Sequence, residues 1–544
     1  MPPEANRIPW LEAASFLDLF HGTAKVALES QLLDYLEGKR WFRSKSRLRV
    51  SGKISEVVPV PGEPAQALLL FDVEFAEGAA ETYLIALADL AGAEALAVRQ
   101  SRPHSLIAER RKPNALALGE LYDGLASGSA LTPLLRFIAE GAVVRGTFGE
   151  LSAKTSSVLE QALAHLPAPQ ALEFEQTNST VSFGEQFVLK VYRQVAAGQN
   201  PELELGEFMT QFPNVPGPRV LGSLTLLRSD AEPRSLGLVQ EFVPNRGTAW
   251  QFTLTELEAY FERASALGRA APPPLSIESW RALAGLTPDP LLAMVMGAYP
   301  LLAAVLGRRT AEVHRVLASG SGPGFEPEPF TMAHQRAICR RAQAALVRVC
   351  AALGLRGPDL RFPAQALAAR VVAREAELSS RFERILQHDL RAKRARCHGD
   401  LHLGQVLFTG NDFVLIDFEG EPARPLAERR DKQSPLRDVM SMIRSFDYAT
   451  EAVLRSGQNE VALRPWANVW KQQVSAAFLR GYLDAAGDAA FIPETAQELD
   501  TLLDFYELEK TVYEVTYELD NRPEWLPLPL AGIETICARG ASGP

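Results

Sequence analysis

Two short apolar runs on either side of a turn stand out in the last third of the chain. The first run is Val406 to Phe408, the second is Phe413 to Ile416, and the intervening Thr409 to Asp412 consists of residue types that favour turns. This pattern predicts a β-hairpin. Polar residues lie at both of its ends, so the hairpin would bring the loop that precedes it close to the segment that follows it.

The polar residues around the predicted hairpin suit the transfer of a phosphoryl group from ATP. His398, Asp400, His402 and Gln405 precede the hairpin, and Asp417 follows it. The reaction needs a carboxylate that takes the proton of the attacking hydroxyl, and oxygen ligands for Mg²⁺. We predict Asp400 and His398 as catalytic residues, with the histidine orienting the loop, and Gln405 and Asp417 as magnesium ligands. The alternative is an ordinary polar turn followed by an ordinary aspartate at a strand end.

The same spacing produces a resemblance to known kinases. Protein kinases carry H-R-D-x-x-x-x-N followed by D-F-G, and the interval from Asp400 to Gln405 equals that Asp-to-Asn interval. The chain resembles the maltokinases, relatives of the aminoglycoside phosphotransferases within the eukaryotic-like kinase fold. Gln405 favours the maltokinase branch, because general aminoglycoside phosphotransferases have Asn there. The resemblance covers most of the chain and is strongest over residues 177–210, 307–330, 398–449 and 507–533.

The resemblance implies an α+β protein with the bilobal kinase fold and an amino-terminal α+β cap similar to a cystatin. It divides the chain into the cap at 1–100, an intermediate subdomain with the nucleotide lobe at 101–243, and a mostly helical lobe with the sugar site at 244–544. The implied activity is the ATP-dependent and Mg²⁺-dependent phosphorylation of the anomeric hydroxyl of maltose. Its product, maltose 1-phosphate, would supply α-glucan and glycogen synthesis, and a trehalose synthase is the suggested partner.

The predicted cap begins with one or two helices between Trp10 and Glu37. Alternating apolar and polar residues then predict three strands, at Ile54 to Val60, Ala67 to Phe75 and Glu81 to Leu87. Between the predicted helices and the first strand, Arg40-Trp41-Phe42 with Lys45 resembles the opening signature of the maltokinase cap. A tryptophan at such a position is more typical of a protein core than of a ligand site.

A lysine on a strand marks the predicted nucleotide lobe. Lys190 lies on the apolar run from Phe187 to Tyr192, ahead of a helix that starts near Pro201. We expect Lys190 to reach the α- and β-phosphates of ATP, held by a carboxylate of that helix, with Glu204 preferred over Glu207. In isolation, Lys190 would be an ordinary solvated lysine.

Two further segments are predicted to contact the nucleotide. The polar residues from Thr177 to Ser182, before the lysine strand, predict a loop. This loop departs from the glycine-rich pattern of kinases, but its amides and hydroxyls can contact phosphate oxygens. The later strand that ends the small lobe would bind adenine through its backbone. The predicted residues are Thr177, Asn178, Ser179 and Thr180 for the phosphates, and Gln240, Glu241 and Phe242 for adenine.

One helical face near the carboxyl end is the predicted sugar site. Lys510, Tyr513, Glu514 and Tyr517 fall at offsets of 0, 3, 4 and 7. Aromatic rings cover the apolar faces of a pyranose, and charged groups bind its hydroxyls. The alternative is a packed tyrosine stripe with a surface ion pair. His402 and Arg437 complete the predicted substrate residues. The resemblance also implies that Arg437 with Asp438 braces the catalytic loop.

Composition narrows the function classes further. The chain has 544 residues and a formal net charge of −10, which argues against a nucleic-acid surface. Four dispersed cysteines without a C-x-x-C pair, and a start without the features of a signal peptide, predict a cytoplasmic protein. The apolar stretch at 290–306 is interrupted by Pro300 and predicts a buried helical hairpin rather than a membrane span.

Two alternatives from other classes stay open. The first is a related phosphotransferase that acts on an amino sugar such as glucosamine, or on an aminoglycoside. A site for a polycation should be lined mainly by carboxylates, and Lys510 fits a neutral sugar better. The second is a catalytically silent regulatory protein with a kinase fold, which the presence of Lys190, Asp400 and Asp417 disfavours.

Overall fold

The chain divides into two compact units. In the computed structural model the amino-terminal unit comprises Met1–Thr210 and Pro218–Pro244, and the carboxy-terminal unit comprises Gln211–Gly217 and Asn245–Pro544. The described residues are 8–45, 47–112, 117–171, 178–268, 270–271, 279–287, 290–422, 424–457 and 459–539. Thr177, one of the predicted phosphate contacts, lies outside them.

A six-stranded sheet opens the amino-terminal unit, and its strand order is β1-β5-β6-β4-β3-β2. All three strands predicted for the cap are present, and the sheet continues past residue 100 to Asp123. The predicted helix from Trp10 is wrong at its start, because Trp10–Glu12 pairs in parallel with Glu109, Arg110 and Arg111. The strands are β1 (Trp10–Glu12), β2 (Arg49–Val60), β3 (Gln66–Phe75), β4 (Glu81–Leu90), β5 (Leu106–Arg111) and β6 (Ala117–Asp123).

A seven-stranded sheet follows in the same unit, with the order β7-β8-β12-β13-β11-β10-β9. The strand predicted to carry Lys190 is confirmed with its bounds unchanged. The polar run before it was expected to be a loop, but from Asn178 onward it is a strand that pairs with the lysine strand. The strands are β7 (Val143–Arg145), β8 (Glu150–Thr155), β9 (Pro169–Ala171), β10 (Asn178–Phe183), β11 (Phe187–Tyr192), β12 (Val220–Arg228) and β13 (Ala231–Glu241).

The two sheets of this unit share one apolar core. Leu68 and Leu84 of the first sheet belong to the same buried cluster as Val181 and Leu189 of the second. Each such side chain contributes about 1.5–3 kcal/mol when it is fully buried, so the cluster holds the two sheets together. The helices of the unit are α1 (Gly22–Glu37), α2 (Gly92–Ser101), α3 (Gly128–Ala139), α4 (Ser157–Gln161) and α5 (Pro201–Met209).

The carboxy-terminal unit is mainly helical and contains the predicted hairpin. The helices are α6 (Ala249–Ala266), α7 (Trp280–Ala284), α8 (Pro290–Met296), α9 (Tyr299–Leu317), α10 (Met332–Arg356), α11 (Ala364–Ala373), α12 (Glu375–Glu383), α13 (Leu426–Arg429), α14 (Leu436–Ser456), α15 (Glu460–Ala486), α16 (Ala496–Asn521) and α17 (Pro527–Arg539). Two short strand pairs complete it: β14 (Glu328–Pro329) with β15 (Lys393–Arg394), and β16 (Val406–Phe408) with β17 (Phe413–Leu415).

Helices α9 and α15 approach each other through glycines. A Cβ atom built on Gly307 would lie 2.0 Å from the carbonyl oxygen of Phe478, and one built on Gly481 would lie 2.1 Å from that of Ala304. Both distances are far below van der Waals contact, so the two backbones touch directly at this crossing.

The long apolar stretch of the sequence forms two helices, α8 and α9, which meet at an angle of 80°. Within the described part of the chain, no single helix has the length and apolar character needed to cross a membrane. Among the described helices, this bent pair is the one that meets both requirements when its two members are taken together.

Candidate active site

The predicted hairpin is confirmed and is anchored to the bundle at its turn. Val406 pairs with Leu415 and Phe408 with Phe413. At the turn, the guanidinium of Arg309 on α9 donates two hydrogen bonds to the carboxylate of Asp412, at 2.8 and 2.6 Å. The hairpin therefore has a fixed position relative to α9.

The histidine of the loop before the hairpin positions its backbone. Nε2 of His398 donates to the carbonyl of Ile416 at 2.8 Å, and Nδ1 accepts the amide N–H of Asp400 at 3.3 Å. Because Nδ1 accepts while Nε2 donates, this ring is a neutral tautomer. The side chain links the loop to the end of the second strand, which agrees with its predicted orienting task.

Gln405 and Asp417, the predicted magnesium ligands, are in direct contact. The side-chain amide of Gln405 donates to Oδ2 of Asp417 at 2.7 Å. This bond uses the nitrogen of the amide, so Oε1 of Gln405 is the atom suited to a cation. Asp417 has a φ of +67°, a left-handed conformation that is rare for a residue with a side chain and typical of functional sites.

The loop and the segment after the hairpin approach each other at two glycines. Gly399 has a φ of +83°, and a Cβ atom on it would lie 3.0 Å from Cα of Gly420. Any larger residue at position 399 would press against that backbone while adopting an unfavourable conformation. The close approach holds the backbone next to Asp400 against the segment that follows Asp417.

The bracing role predicted for Arg437 and Asp438 is confirmed. The carboxylate of Asp438 accepts the amide N–H groups of His398 at 2.7 Å and Gly399 at 3.0 Å. It also contacts Nε2 of the buried His314 at 3.0 Å. Burial alone would raise the pKa of Asp438, but its hydrogen bond and attraction to His314 lower it. The carboxylate thus stays charged under the loop amides.

Arg437 is too fully engaged for its predicted contact with substrate. Only 5% of the residue is exposed. Its guanidinium donates to the carbonyl of Gly399 at 3.1 Å, to Glu421 at 2.9 Å and to Glu509 at 3.2 Å. The substrate assignment of Arg437 is corrected to a positioning role, because its donors already serve the loop.

Lys510 is the sugar-face residue that lies next to the predicted base. Its ammonium is 3.7 Å from Oδ1 of Asp400 and 3.5 Å from Oε1 of Glu421. Burial would lower the pKa of Lys510, but the carboxylates of Glu421 and Asp400 raise it above its ordinary value. Sequence reasoning missed Glu421, which lies shortly after Asp417 in the chain. Its carboxylate contacts both Lys510 and Arg437.

The tyrosines predicted with Lys510 form an aromatic surface beside it. The Lys510 ammonium lies 4.8 Å above the ring of Tyr513, which stacks with Tyr517 at 6.5 Å and 24°. Burial, together with the charge of Glu421, raises the pKa of Tyr513 to about 12. His402 is half-buried, and its Nδ1 accepts the amide N–H of Gly404 at 3.1 Å; partial burial lowers the pKa of its ring.

Glu514 does not belong to this surface. It is 5% exposed, and its carboxylate accepts hydrogen bonds from Arg444 on α14, the shortest at 2.6 Å. The prediction that Glu514 binds substrate is corrected, because a neighbouring helix supplies a cation that the helical offsets cannot reveal.

In the amino-terminal unit, a carboxylate that was not predicted lies beside Lys190. Nζ of Lys190 lies 2.8 Å from Oε2 of Glu202, which is 1% exposed. Glu202 shares a face of α5 with the buried Leu205, Gly206 and Met209, at helical offsets of 0, 3, 4 and 7. That spacing was the available signal for Glu202, which the sequence analysis missed as a partner of the lysine.

The other nucleotide segments also differ from expectation. Asn178, Ser179 and Thr180 pair with β11, and the hydroxyl of Ser179 accepts a hydrogen bond from Arg193 at 2.7 Å. This segment is therefore a strand of the sheet rather than the predicted loop.

The adenine segment is similarly engaged. The amides of Glu241 and Phe242 donate to the carbonyls of Arg219 and Gln186, both at 2.9 Å, and Gln240 lies within β13. The N–H donors predicted for adenine at positions 241 and 242 are thus already used.

Comparison with solved structures identifies the fold. The protein aligns with a glucosamine kinase in complex with glucosamine, ADP and inorganic phosphate, with a TM-score of 0.57 and 18% identity, over 92% of this chain and 98% of the other. The chain has the fold of a glucosamine kinase. A second glucosamine kinase structure, crystal form B, gives the same TM-score over 91% of this chain and 96% of the other, at 19% identity. The predicted α+β kinase fold is confirmed.

Sequence comparison gives the same names. Over 363 residues the chain is 27% identical to a glucosamine kinase of Streptacidiphilus jiangxiensis. This alignment covers 65% of this chain and 70% of that protein. A shorter match of 156 residues, 29% identical, covers 27% of this chain and 35% of a glucosamine kinase of Mycolicibacterium smegmatis. No family model matches the sequence. These relatives support the kinase superfamily and do not single out its maltokinase branch.

Proposed function

We propose that the protein is a kinase that transfers the γ-phosphoryl group of ATP to a hydroxyl of an amino sugar, with glucosamine as the leading substrate. The observation that carries the proposal is the contact between Gln405 and Asp417 at 2.7 Å, at the end of the loop that bears Asp400. Two carboxylates with an amide at this spacing suit phosphoryl transfer. The fold and the names of the relatives support the choice of an amino sugar.

In the proposed reaction Asp400 accepts the proton of the sugar hydroxyl. The hydroxyl oxygen forms a bond to the γ-phosphorus while the bond from that phosphorus to the bridging oxygen breaks, and ADP leaves. Lys510 holds the carboxylate of Asp400 in position from 3.7 Å. When bound, Mg²⁺ would neutralise charge between the phosphates, and Oε1 of Gln405 with the carboxylate of Asp417 fits its preference for hard oxygen ligands.

Maltose is the second candidate. The stacked Tyr513 and Tyr517 favour it, because Tyr517 is 43% exposed and enlarges the aromatic surface beside Lys510. A second pyranose ring could lie there. The association with a trehalose synthase stays a prediction, and it belongs to the alternative in which maltose is the substrate.

A substrate panel tests the proposal. ADP release from ATP and Mg²⁺ is measured with glucosamine, maltose and kanamycin as acceptors, and glucosamine is expected to give the highest kcat/KM. A higher value with maltose would replace the amino sugar by the disaccharide. If no sugar stimulates ADP release, the kinase proposal itself fails.

A charge-neutral variant tests the role of Asp400. Asp400→Asn should lower kcat by about 100- to 10,000-fold, the range for loss of a general base, without a lower melting temperature. Asp359→Asn, at an exposed site in the same unit, is the matched control and should retain activity. Equal turnover by Asp400→Asn and the control would exclude Asp400 as the base.

A further inference from the structure

A polar cavity lies within the amino-terminal unit, and nothing in the proposed reaction uses it. Its volume is about 480 Å³, within the range of about 300–1,000 Å³ typical of small-molecule sites. It is bounded by the residues that follow α1, the connection from α2 to β5, the end of β6, and β10. Lys190 and Glu202 are not among its lining residues.

The charges that line this cavity are mostly positive. Lys39, Arg40, Arg102 and Arg193 face a single carboxylate, that of Asp123. The protein as a whole carries a net charge of −10, so the cavity has the opposite sign to the average surface. A cavity lined by one sign of charge focuses the field and attracts counter-charged small molecules.

The one carboxylate of the cavity is already neutralised. Oδ2 of Asp123 lies 2.8 Å from Nη2 of Arg193 and accepts the hydroxyl of Tyr35 at 3.0 Å. Arg193, which is 1% exposed, also donates to Ser179 and lies 4.8 Å over the ring of Trp41. These contacts build a rigid wall, and they leave Asp123 unable to balance the other cations.

Arg40 and Arg102 supply the unbalanced charge. Neither arginine forms a salt bridge with another described residue. Within the described part of the chain, the guanidinium of Arg102 makes a single hydrogen bond, to the carbonyl oxygen of Ala126 at 3.3 Å. A guanidinium has five N–H donors in a planar fork that matches the oxygens of a phosphate group. The ammonium of Lys39 donates to the carbonyl of His104 and lies 3.7 Å from the ring centroid of Tyr35. The two guanidinium forks that line the same cavity suit a dianion better than a single carboxylate.

We propose that this cavity binds a small phosphate monoester, with the phosphate at Arg40 and Arg102. The uncharged part of the ligand would lie against Tyr35 and Leu125, which also line the cavity. The sequence motif Arg40-Trp41-Phe42 then has a physical explanation, since Arg40 contributes charge and the buried Trp41 supports Arg193. The proposal is independent of which sugar the protein phosphorylates.

Calorimetric titration of the full chain tests the site. The probes are glucose 6-phosphate, inorganic phosphate and glucose, each added in the presence of saturating ADP and Mg²⁺ so that the nucleotide site is filled. Glucose 6-phosphate is expected to bind, inorganic phosphate to bind more weakly, and glucose to give no signal at this site. Arg40→Gln/Arg102→Gln should weaken binding of glucose 6-phosphate by at least about tenfold, because two charge-assisted contacts are lost.

Two control variants identify the site that is responsible. Arg43→Gln/Arg145→Gln removes the same number of charges from exposed positions outside the cavity and should bind like the unmodified protein. Lys510→Met, which alters the candidate active site, should also retain binding. Loss of binding in Lys510→Met with retention in Arg40→Gln/Arg102→Gln would overturn the proposal, as would the absence of binding by any phosphorylated probe.

The single variant Arg40→Gln guards against misfolding of the double variant. Arg40 is exposed and its side chain makes no hydrogen bond within the described part of the chain, so its loss should leave the melting temperature unchanged. The Arg40→Gln substitution should still lower the affinity for glucose 6-phosphate several-fold. Unchanged affinity in Arg40→Gln and in a folded double variant would contradict the site.

Discussion

Two arginines on helix α14, seven residues apart, form similar ion pairs but stabilise different parts of the structure. Arg437 is 5% exposed and Arg444 is 4% exposed, and each binds glutamate carboxylates. Arg437 binds Glu421 and, on α16, Glu509, and it also donates to the carbonyl of Gly399, so it holds the catalytic loop as well. Arg444 joins Glu514 on α16 to Asp447 on its own helix, so it holds two helices together. The comparison teaches that a buried, ion-paired arginine positions the catalytic loop only where one of its donors also binds that loop, as Arg437 does at the carbonyl of Gly399.

The largest effect is expected from Arg437→Met. It leaves Glu421 buried with fewer cations and removes the donor to Gly399, which should cost about 3–5 kcal/mol of unfolding free energy. Turnover should fall more than 100-fold, a loss of about 2.7 kcal/mol in transition-state stabilisation. Denaturant unfolding and ADP release measure the two effects. Full activity in a folded Arg437→Met protein would show that the loop does not depend on this arginine.

Arg444→Met should destabilise the protein by a similar amount but leave kcat within about threefold, because its partners lie away from the loop. The double variant Arg444→Met/Glu514→Met should recover most of the lost stability, since both charges are then gone. A fall in kcat as large as that of Arg437→Met would remove the distinction between the two arginines.

Gly399→Ala should have a smaller effect that is concentrated on activity. A Cβ atom at a φ of +83°, 3.0 Å from Gly420, adds about 1–3 kcal/mol of strain and displaces the loop next to Asp400. Gly354→Ala on α10 is the control, because a Cβ atom there meets nothing within 4 Å and should stabilise the helix by about 0.5–1 kcal/mol. Equal kcat in both variants would mean that the loop tolerates the methyl group.

The smallest effect is a pH dependence of opposite sign at the two glutamates. Burial raises the pKa of both, but Arg437, Lys510 and Arg424 reverse this and lower the pKa of Glu421. Glu514, with Arg444 as its main cation, keeps a raised pKa. The stability from Glu421 is therefore present above its ordinary value of 4.5 and is lost as the pH falls through its lowered pKa.

For Glu514 the sign is reversed. Its contribution is present below 4.5 and is lost as the pH rises through its raised pKa. Melting temperatures measured against pH should show the deficit of Glu421→Gln shrinking at acid pH and the deficit of Glu514→Gln shrinking above 4.5. Parallel curves for the two variants would refute the assignment.

Local sequence signals predicted the local parts of the site. The hairpin, the strand of Lys190 and the spacing from Asp400 to Gln405 follow from short apolar runs and turn residues, which act within a few positions of the chain. The partners that come from distant segments could not be found this way. Lys510 and Glu514 share a helical face in sequence, yet one meets Asp400 and the other meets Arg444, because the packing of α14 decides which cation arrives.

The direct contact of α9 with α15 constrains how this protein can change. The spacing there is set by main-chain atoms, so no rotamer adjustment can absorb a bulkier residue at Gly307 or Gly481. Arg309, only two positions from Gly307, grips the turn of the hairpin. A methyl group added at this crossing would therefore push the two helices apart, and the displacement of α9 would reach the hairpin through Arg309.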